Sequence, residues 1–318
     1  MNYVNDRFCE LVQLPRNRQA ILAMKKDVDD FLPSFCDSPA KLSRWGHHYF
    51  CDDDGGRLIF DLNSPHSHRC EICGKVYSND VQDGVWVTFY RNRAVVLALV
   101  SAAVYKATGE TKYRDYALQV IDFYAAHYHE FVLHNKENKI FDSYETMKWG
   151  CGKMMPQGLN EAIVAIRFIQ TIEILRPELE QEWLENVHRK LFREMFRLLA
   201  PQAVEIHNIS CWSLAAIGVM GLAMKDQEMI DYAFTSPFNI RRQLAEGVTA
   251  DGFWVRKAPS TTTSFCWRAF LICSSSARFT GMILARRAQR FLNGCLRKPT
   301  NTPLTTCICP IPTTVGPI

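Results

Sequence analysis

The chain contains 318 residues, of which 47% are hydrophobic and 22% are charged, a composition typical of a globular protein and not of a disordered or fibrous one. Its formal net charge of +4 is unevenly distributed. Residues 256–318 carry nine Lys and Arg and no Asp or Glu, so residues 1–255 hold 28 basic and 33 acidic side chains, a net of −5. The overall basicity is a property of the tail, and we expect no nucleic-acid partner.

The cysteines and the N-terminal sequence predict a cytoplasmic protein. Seven of the 12 cysteines lie in residues 1–255, and the odd number with a close Cys70 and Cys73 pair favours thiols and a metal over a disulfide framework. The first 25 residues contain no uninterrupted apolar stretch of signal-peptide length. No segment approaches the roughly 20 apolar residues of a membrane span, so we expect no membrane contact.

Four segments follow one another along the chain. Residues 1–44 read as short N-terminal helices broken by prolines, and residues 45–80 as a small irregular insertion rich in Cys and His. The helical period dominates residues 81–255. Residues 256–318 form a tail of different composition.

The helical segment is expected to form stacked antiparallel helical hairpins with almost no strand, an all-α fold. One helix should stop at Gly109, and Thr111 should cap the next. Pro177 should begin a helix that runs to about Leu199, and Asn208 should cap another. Residues 210–224 are apolar nearly all round, which predicts an inner helix buried by others.

The insertion contains a spacing typical of zinc sites. A Cys-x2-Cys knuckle that turns on a glycine commonly directs two thiolates to one Zn²⁺. The predicted tetrahedral ligands are Cys51, His68, Cys70 and Cys73, and His66 competes with His68. With all four positions filled by protein, the zinc would be structural. The alternative is that Cys51 is only a small buried hydrophobic residue.

Three further patterns are weak when each is taken alone. A glycine-rich loop at residues 150–158 leads Gln157 into a helix, but it does not match a phosphate-binding loop. His207 and Asn208 stand at a helix start, where such residues usually only cap. An Asp-Gly turn precedes two aromatic residues at 251–254, a pattern usual for a loop that closes over a core.

Taken in order, these motifs resemble the amino-terminal part of heparinase II/III-like polysaccharide lyases, including oligoalginate lyases. The resemblance covers about residues 45–255. It rests on Trp45–Cys51, Leu58–Asp61, His68–Lys75, Gln157 with Glu161 and Ala162, His207–Ile209 and Asp251–Trp254.

The resemblance implies an incomplete (α/α) toroid, followed in full-length members by β-sandwich domains that this chain lacks. It implies β-elimination at a uronic acid, with an acidic polysaccharide or oligosaccharide as substrate and no organic cofactor. Asn208 and His207 match the group that neutralises the substrate carboxylate. Gln157, Glu161 and Trp254 match substrate-contacting positions. A Tyr commonly serves the family as general acid, and Tyr or His as base.

The resemblance stops after Trp254, where the family usually continues with Glu-Gly-Ser and a catalytic Tyr-His pair. Here the chain reads Val255–Pro259 and then a threonine run. Because a one-base shift would allow these residues to encode Glu-Gly-Ser and a His-Tyr-His sequence, we expect residues 256–318 to be out-of-frame translation. The chain would then be truncated in effect, and inactive or impaired. The alternative is a genuine basic, Cys-rich tail.

Two other functions remain open from the sequence. A helical-toroid glycoside hydrolase needs two carboxylates across a cleft, and Glu161 with Asp251 is the pair that the sequence offers. A zinc-bearing helical module could also bind glycan or protein without chemistry.

Overall fold

The computed structural model describes residues 10–31, 34–249, 254, 266, 268, 269 and 272. Within them the chain is all-α, as predicted, with one two-stranded sheet. The α-helices are α1 (Arg18–Phe31), α2 (Asp80–Thr108), α3 (Thr111–His127), α4 (Gly158–Leu175), α5 (Gln181–Val187), α6 (Arg193–Leu199), α7 (Asn208–Met224), α8 (Gln227–Thr235) and α9 (Ile240–Gly247). The strands are β1 (His68–Arg69) and β2 (Val76–Tyr77), which pair antiparallel with His68 opposite Tyr77. The expected tail lies almost wholly outside the described residues, and the expected segment boundaries stay predictions.

Helices α2, α4 and α7 form an inner row, in which α4 packs on both of its neighbours. An outer helix packs against each end of the row, α3 on α2 and α8 on α7, while α6 packs on α4. Successive hairpins therefore build a two-layered, toroid-like arrangement. Gln202, which follows the C-terminal end of α6, lies against Gly158 at the start of α4, so these two helix ends lie together.

Helix α7 is the inner helix that the sequence predicts, since every residue from Ser210 to Gly221 is buried. Helix α2 is long and apolar enough to cross a membrane by length and composition, contrary to the sequence expectation, although 67% of its apolar window is buried inside the protein. Such burial is typical of a core helix.

Several predicted helix boundaries need correction. Gly109 does end α2, with the left-handed φ of 74° that glycine adopts easily. Thr111 is the first residue of α3 and not its cap, and Asn208 likewise begins α7, whose cap is His207. The single helix expected from Pro177 to Leu199 is instead a 3₁₀ turn, then α5, a π-helical turn at residues 188–192, and α6.

The insertion packs on the first turns of α2 through hydrogen bonds more than through a large core. Gln82 Nε2 donates to the His48 carbonyl, and Trp86 Nε1 donates to the Asp61 carbonyl. Its own buried cluster contains only six residues, namely Tyr49, Cys51, Leu58, Cys70, Tyr77 and Val85, and the last of these belongs to α2. The insertion therefore depends on contacts other than apolar burial to hold its shape.

A fully buried ion pair ties α2 to the N-terminal segment and to the loop before α4. Arg91 is 0% exposed, and its Nε donates to Asp37 Oδ2 at 2.8 Å. The same guanidinium donates to the carbonyl oxygens of Ser38, Lys41 and Met154. Tyr124 of α3 donates to Asp37 Oδ2 at 3.0 Å, so both charges are compensated without water.

Replacing Arg91 with Met should lower the free energy of unfolding by about 3–5 kcal/mol, because the Asp37 carboxylate would stay buried without its cation. Urea unfolding followed by circular dichroism measures the loss. Arg114→Met is the matched control, since Arg114 is partly exposed and pairs with the adjacent Asp115, an interaction worth at most about 1 kcal/mol. Equal losses for the two variants would show that the buried pair contributes nothing special.

Candidate functional site

Four side chains of the insertion converge on one point. The ligand atoms of Cys51, Asp54, Cys70 and Cys73 lie within 4.8 Å of one another, so this group could hold a metal ion. The Cys51 and Cys73 sulfurs are 3.7 Å apart, and the Cys70 sulfur is 3.4 Å from Asp54 Oδ1. Cys51 and Cys70 are buried, whereas Asp54 and Cys73 face solvent. Three of the four predicted metal ligands are thus brought together.

When no cation lies between them, the negative charges that these four side chains can carry repel one another. Hydrogen bonding to the Asp54 carboxylate raises the pKa of the Cys73 thiol to about 12. The same thiol, with the Gly56 amide, lowers the pKa of Asp54 to about 2. Three thiols and a carboxylate this close can all ionise together only around a cation.

The structure does not place His68, the predicted fourth ligand, in this group. His68 is fully buried, with Nδ1 2.7 Å from the Tyr49 hydroxyl and Nε2 2.8 Å from Asp83 Oδ1, so both ring nitrogens are engaged away from the cysteines. Its competitor His66 also contacts the Asp83 carboxylate. The two histidines therefore fasten the insertion to α2, and Asp54 stands where the sequence placed an imidazole.

The N-terminal end of α7 presents the predicted catalytic pair. His207 caps the helix, because its Nδ1 accepts a hydrogen bond from the Ile209 amide at 3.1 Å. The indole of Trp149 meets the His207 ring edge-on at a centroid distance of 5.2 Å and is 43% exposed. Trp149 Nε1 donates to the Gln202 carbonyl, which holds the indole at this end of the inner row. No pattern in the sequence singles out Trp149.

Asn208 and Gln157 both lie at the N-terminal ends of neighbouring inner helices. Asn208 is the first residue of α7, and Gln157 is the N-cap residue of α4. Both are half-buried, and neither side-chain amide is hydrogen-bonded to another of the described residues. Each helix dipole adds partial positive charge at this end. The arrangement offers two amide groups that can donate to an anionic ligand.

Glu161 does something other than the expected substrate contact. It is 0% exposed, and its Oε1 accepts hydrogen bonds from the backbone amides of Lys153 at 2.6 Å and Met155 at 2.9 Å. Oε2 accepts from the Tyr128 hydroxyl at 3.2 Å. Burial raises the pKa of this carboxyl, and the two amides offset part of that shift. The geometry makes Glu161 the anchor of the loop that precedes α4.

Trp254 is also buried, at 4% exposure, with its ring against Gly247 at the end of α9. A Cβ on Gly247 would lie 2.5 Å from the indole, so glycine is required for this packing. Asp251, the second carboxylate of the hydrolase alternative, lies outside the described residues. The structure thus buries Trp254 against the end of α9 and leaves it little surface for a ligand.

A cavity of about 410 Å³ opens beside the loop that Glu161 anchors, and sequence reasoning missed it. Lys153 lines it with its ammonium group above the Tyr128 ring, and burial lowers the pKa of that group. Tyr144 donates to Glu194 Oε2 at 3.1 Å, and Arg197 lies against the Tyr144 ring. Acidic and basic side chains both line the cavity, so its charge does not select one kind of ligand.

Comparison with known proteins finds two similar lyases. The alginate lyase of Stenotrophomonas maltophilia is 26% identical over 172 residues, which are 52% of this chain and 22% of that protein. The exo-oligoalginate lyase of Saccharophagus degradans is 24% identical over 161 residues, 48% of this chain and 20% of that protein. The matched region spans about a fifth of either relative's length. The expected likeness to oligoalginate lyases is supported, while the heparinase component and the break after residue 255 stay predictions.

No protein-family model matches the chain. Among solved structures, alginate lyase A1-III from Sphingomonas species A1 aligns with a TM-score of 0.43 and 14% sequence identity. The alignment covers 87% of this chain and 72% of that one.

Replacing Glu161 with Ala should lower the free energy of unfolding by about 2–4 kcal/mol, because two buried backbone amides would lose their acceptor. Glu161→Gln keeps one acceptor oxygen, and its loss should be about half as large or less. Chemical denaturation measures both. The control is Glu185→Ala on the exposed face of α5, with a change within about 0.5 kcal/mol. If Glu161→Ala matched that control, the anchoring role would be refuted.

Proposed function

We propose that residues 45–254 belong to a polysaccharide lyase that cleaves a uronate-containing acidic glycan by β-elimination. The observation that carries the proposal is the pair of amides on Asn208 and Gln157, held without protein partners among the described residues at the N-terminal ends of adjacent inner helices. The similarity to two alginate lyases supports the same reaction class.

β-Elimination removes the proton from C5 of the uronate, next to its carboxylate, and negative charge develops on the carboxylate oxygens. Donors that meet this charge lower the barrier most when they are fixed before the reaction begins. The backbone of Asn208 is fixed in this way, because it belongs to the first turn of a helix that is buried over the following three turns. The dipole of α7 adds to its effect.

His207 complements Asn208 as a second donor to the carboxylate. Because Nδ1 already accepts the Ile209 amide hydrogen, a neutral imidazole carries its proton on Nε2. A ring in that tautomer donates a hydrogen bond from Nε2 and does not accept a proton there. We therefore assign His207 to charge stabilisation, and the base that takes the C5 proton to another residue.

The sugar itself would lie along the surface that Trp149 and Gln157 share with the start of α7. An exposed indole offers an apolar face to a sugar ring, and the Gln157 amide can pair with its hydroxyl or carboxylate groups. Glu161 and Trp254 then act indirectly, Glu161 by fixing the loop that carries these residues and Trp254 by packing against the end of α9.

The remaining acid and base belong to the part of the family pattern that follows Trp254. The resemblance places the catalytic Tyr there, and this sequence departs from the pattern at that point. We accordingly propose that the chain as it stands is inactive or strongly impaired, and that correcting a one-base shift after the Trp254 codon restores elimination. The hydrolase alternative is weakened because Glu161, one of its two carboxylates, is buried with both oxygens hydrogen-bonded.

The proposal is tested with alginate, heparan sulfate and hyaluronan, by following the ultraviolet absorbance of the unsaturated uronate that elimination creates. A frame-corrected protein should produce this absorbance, and Asn208→Ala in it should lower the rate by about 10²–10³-fold, as expected for loss of one fixed charge-stabilising donor. Asn186→Ala on α5 should leave the rate unchanged.

Unchanged elimination in Asn208→Ala would refute the role assigned to Asn208. New reducing ends without the absorbance would identify a hydrolase, and binding without either would identify a non-catalytic glycan-binding module. Sequencing the gene across the Trp254 codon tests the frame shift separately, since an intact frame together with peptides from residues 256–318 would contradict it.

A further inference from the structure

We propose that Cys51, Asp54, Cys70 and Cys73 bind one structural Zn²⁺, with Asp54 as the fourth ligand in a Cys₃Asp site. The proposal is independent of lyase activity, because it concerns the insertion and not the start of α7. It rests on the positions of the four ligand atoms, the groups that surround them and the absence of any apolar core large enough to hold the insertion.

Two spacings in the group match those of a tetrahedral zinc ion. Zn–S bonds of about 2.3 Å and a Zn–O bond of about 2.0 Å at tetrahedral angles place two sulfurs about 3.8 Å apart, and a sulfur and an oxygen about 3.5 Å apart. The Cys51 and Cys73 sulfurs are 3.7 Å apart, and the Cys70 sulfur is 3.4 Å from Asp54 Oδ1. All four ligand atoms lie within 4.8 Å of one another, so a zinc ion would draw the remaining pairs together.

Groups around the sulfurs favour thiolates. The Ile72 amide donates to the Cys70 sulfur at 3.4 Å, and the Tyr77 hydroxyl donates to the Cys51 sulfur at 3.2 Å. Hydrogen bonds of this kind orient ligands and stabilise their charge around a metal. Three sulfur ligands select zinc over magnesium or calcium, which prefer oxygen. Since protein atoms fill all four positions, no site for a reacting water is left.

The backbone conformation at two glycines also allows the chain to approach the four ligand atoms closely. Gly74 has a φ of 76°, which turns the chain directly after Cys73. A Cβ on Gly56 would lie 2.8 Å from the Cys70 sulfur and 2.9 Å from Asp54 Oδ1. Only glycine at position 56 allows the chain to approach the ligands this closely.

Zinc would close the chain between residues 51 and 73 and so hold the insertion in a shape that its small apolar cluster cannot maintain. The same fold places His68 against Asp83 of α2 at 2.8 Å. The metal and the buried histidine would thus fasten the insertion at two different points, the metal within it and His68 to the helical layer.

The intact chain, expressed and purified with Zn²⁺, should contain about one zinc per chain by elemental analysis. X-ray absorption at the zinc edge should show three sulfur ligands and one oxygen, without the outer-shell scattering of an imidazole. A protein that folds without stoichiometric metal, or a zinc spectrum with an imidazole ligand, would overturn the proposal.

Substitutions distinguish Asp54 from His68 as ligand. Cys70→Ser should reduce the bound metal to below about a tenth of an equivalent, whereas Cys36→Ser, at an exposed cysteine that does not belong to the group, should leave it unchanged. Asp54→Cys should retain the metal and, in the Co²⁺ form, increase the thiolate charge-transfer absorbance by about a third, as a fourth sulfur is added. His68→Gln should leave that absorbance unchanged.

Unchanged absorbance in Asp54→Cys, or a changed Co²⁺ spectrum in a folded His68→Gln protein, would refute Asp54 as the ligand. If the His68 variant fails to fold, the zinc-edge spectrum of the unmodified chain decides between the two residues alone. Neither measurement depends on elimination activity, so the metal proposal and the proposed function can fail separately.

Discussion

Two buried charges of opposite sign hold the chain between Lys153 and Met155. Arg91 of α2 donates to the Met154 carbonyl, and Glu161 of α4 accepts the amides on either side of it. Apolar contacts have no preferred direction and do not fix a loop at one position. Hydrogen bonds to buried charges are directional, and breaking them costs free energy. The position of this loop relative to the inner helices is therefore fixed, and so are Gln157 and Trp149 at its ends.

The functional face follows from that constraint. A helix buried on all sides, such as α7, can offer polar groups to a ligand only at its ends, and its N-terminal end adds the favourable field of the dipole. His207 closes the helix with its own ring, which leaves Asn208 as the residue whose amide has no described protein partner. Trp149 lies against His207 because the anchored loop carries it there. The loop anchored by Glu161, the His207 cap and the Asn208 amide thus form one connected arrangement.

Much of the helical layer could be predicted from sequence, because its signals are local. A glycine stop at Gly109 and the uniformly apolar run of α7 each specify their element within one or two turns. The predicted start of α7 lies one residue too late, since nothing in the sequence shows that the His207 ring, and not the Asn208 side chain, caps the helix. The π-helical turn after α5 is not predicted, because Pro177 indicates where a helix begins but not where its hydrogen-bonding pattern changes further along the chain.

The sites were harder to predict, since their members are chosen by tertiary position. Cysteine spacing predicted three side chains that the structure brings together, but the fourth predicted ligand, His68, faces the Asp83 carboxylate, a contact that no local pattern indicates. Asp54 could not be singled out from the sequence, because Asp52, Asp53 and Asp54 stand side by side before two glycines. Glu161 resembled a substrate contact, and only its burial against two backbone amides shows the different role.

The central claim is that the start of α7 supports elimination at a uronate, and the chemical structure of the products tests it most directly. Mass spectrometry of fragments released from a defined uronate oligosaccharide by the frame-corrected protein should show a new non-reducing end lighter by one water than a hydrolytic end. Fragments that have gained water across the cleaved bond, with no unsaturated end, would contradict the account.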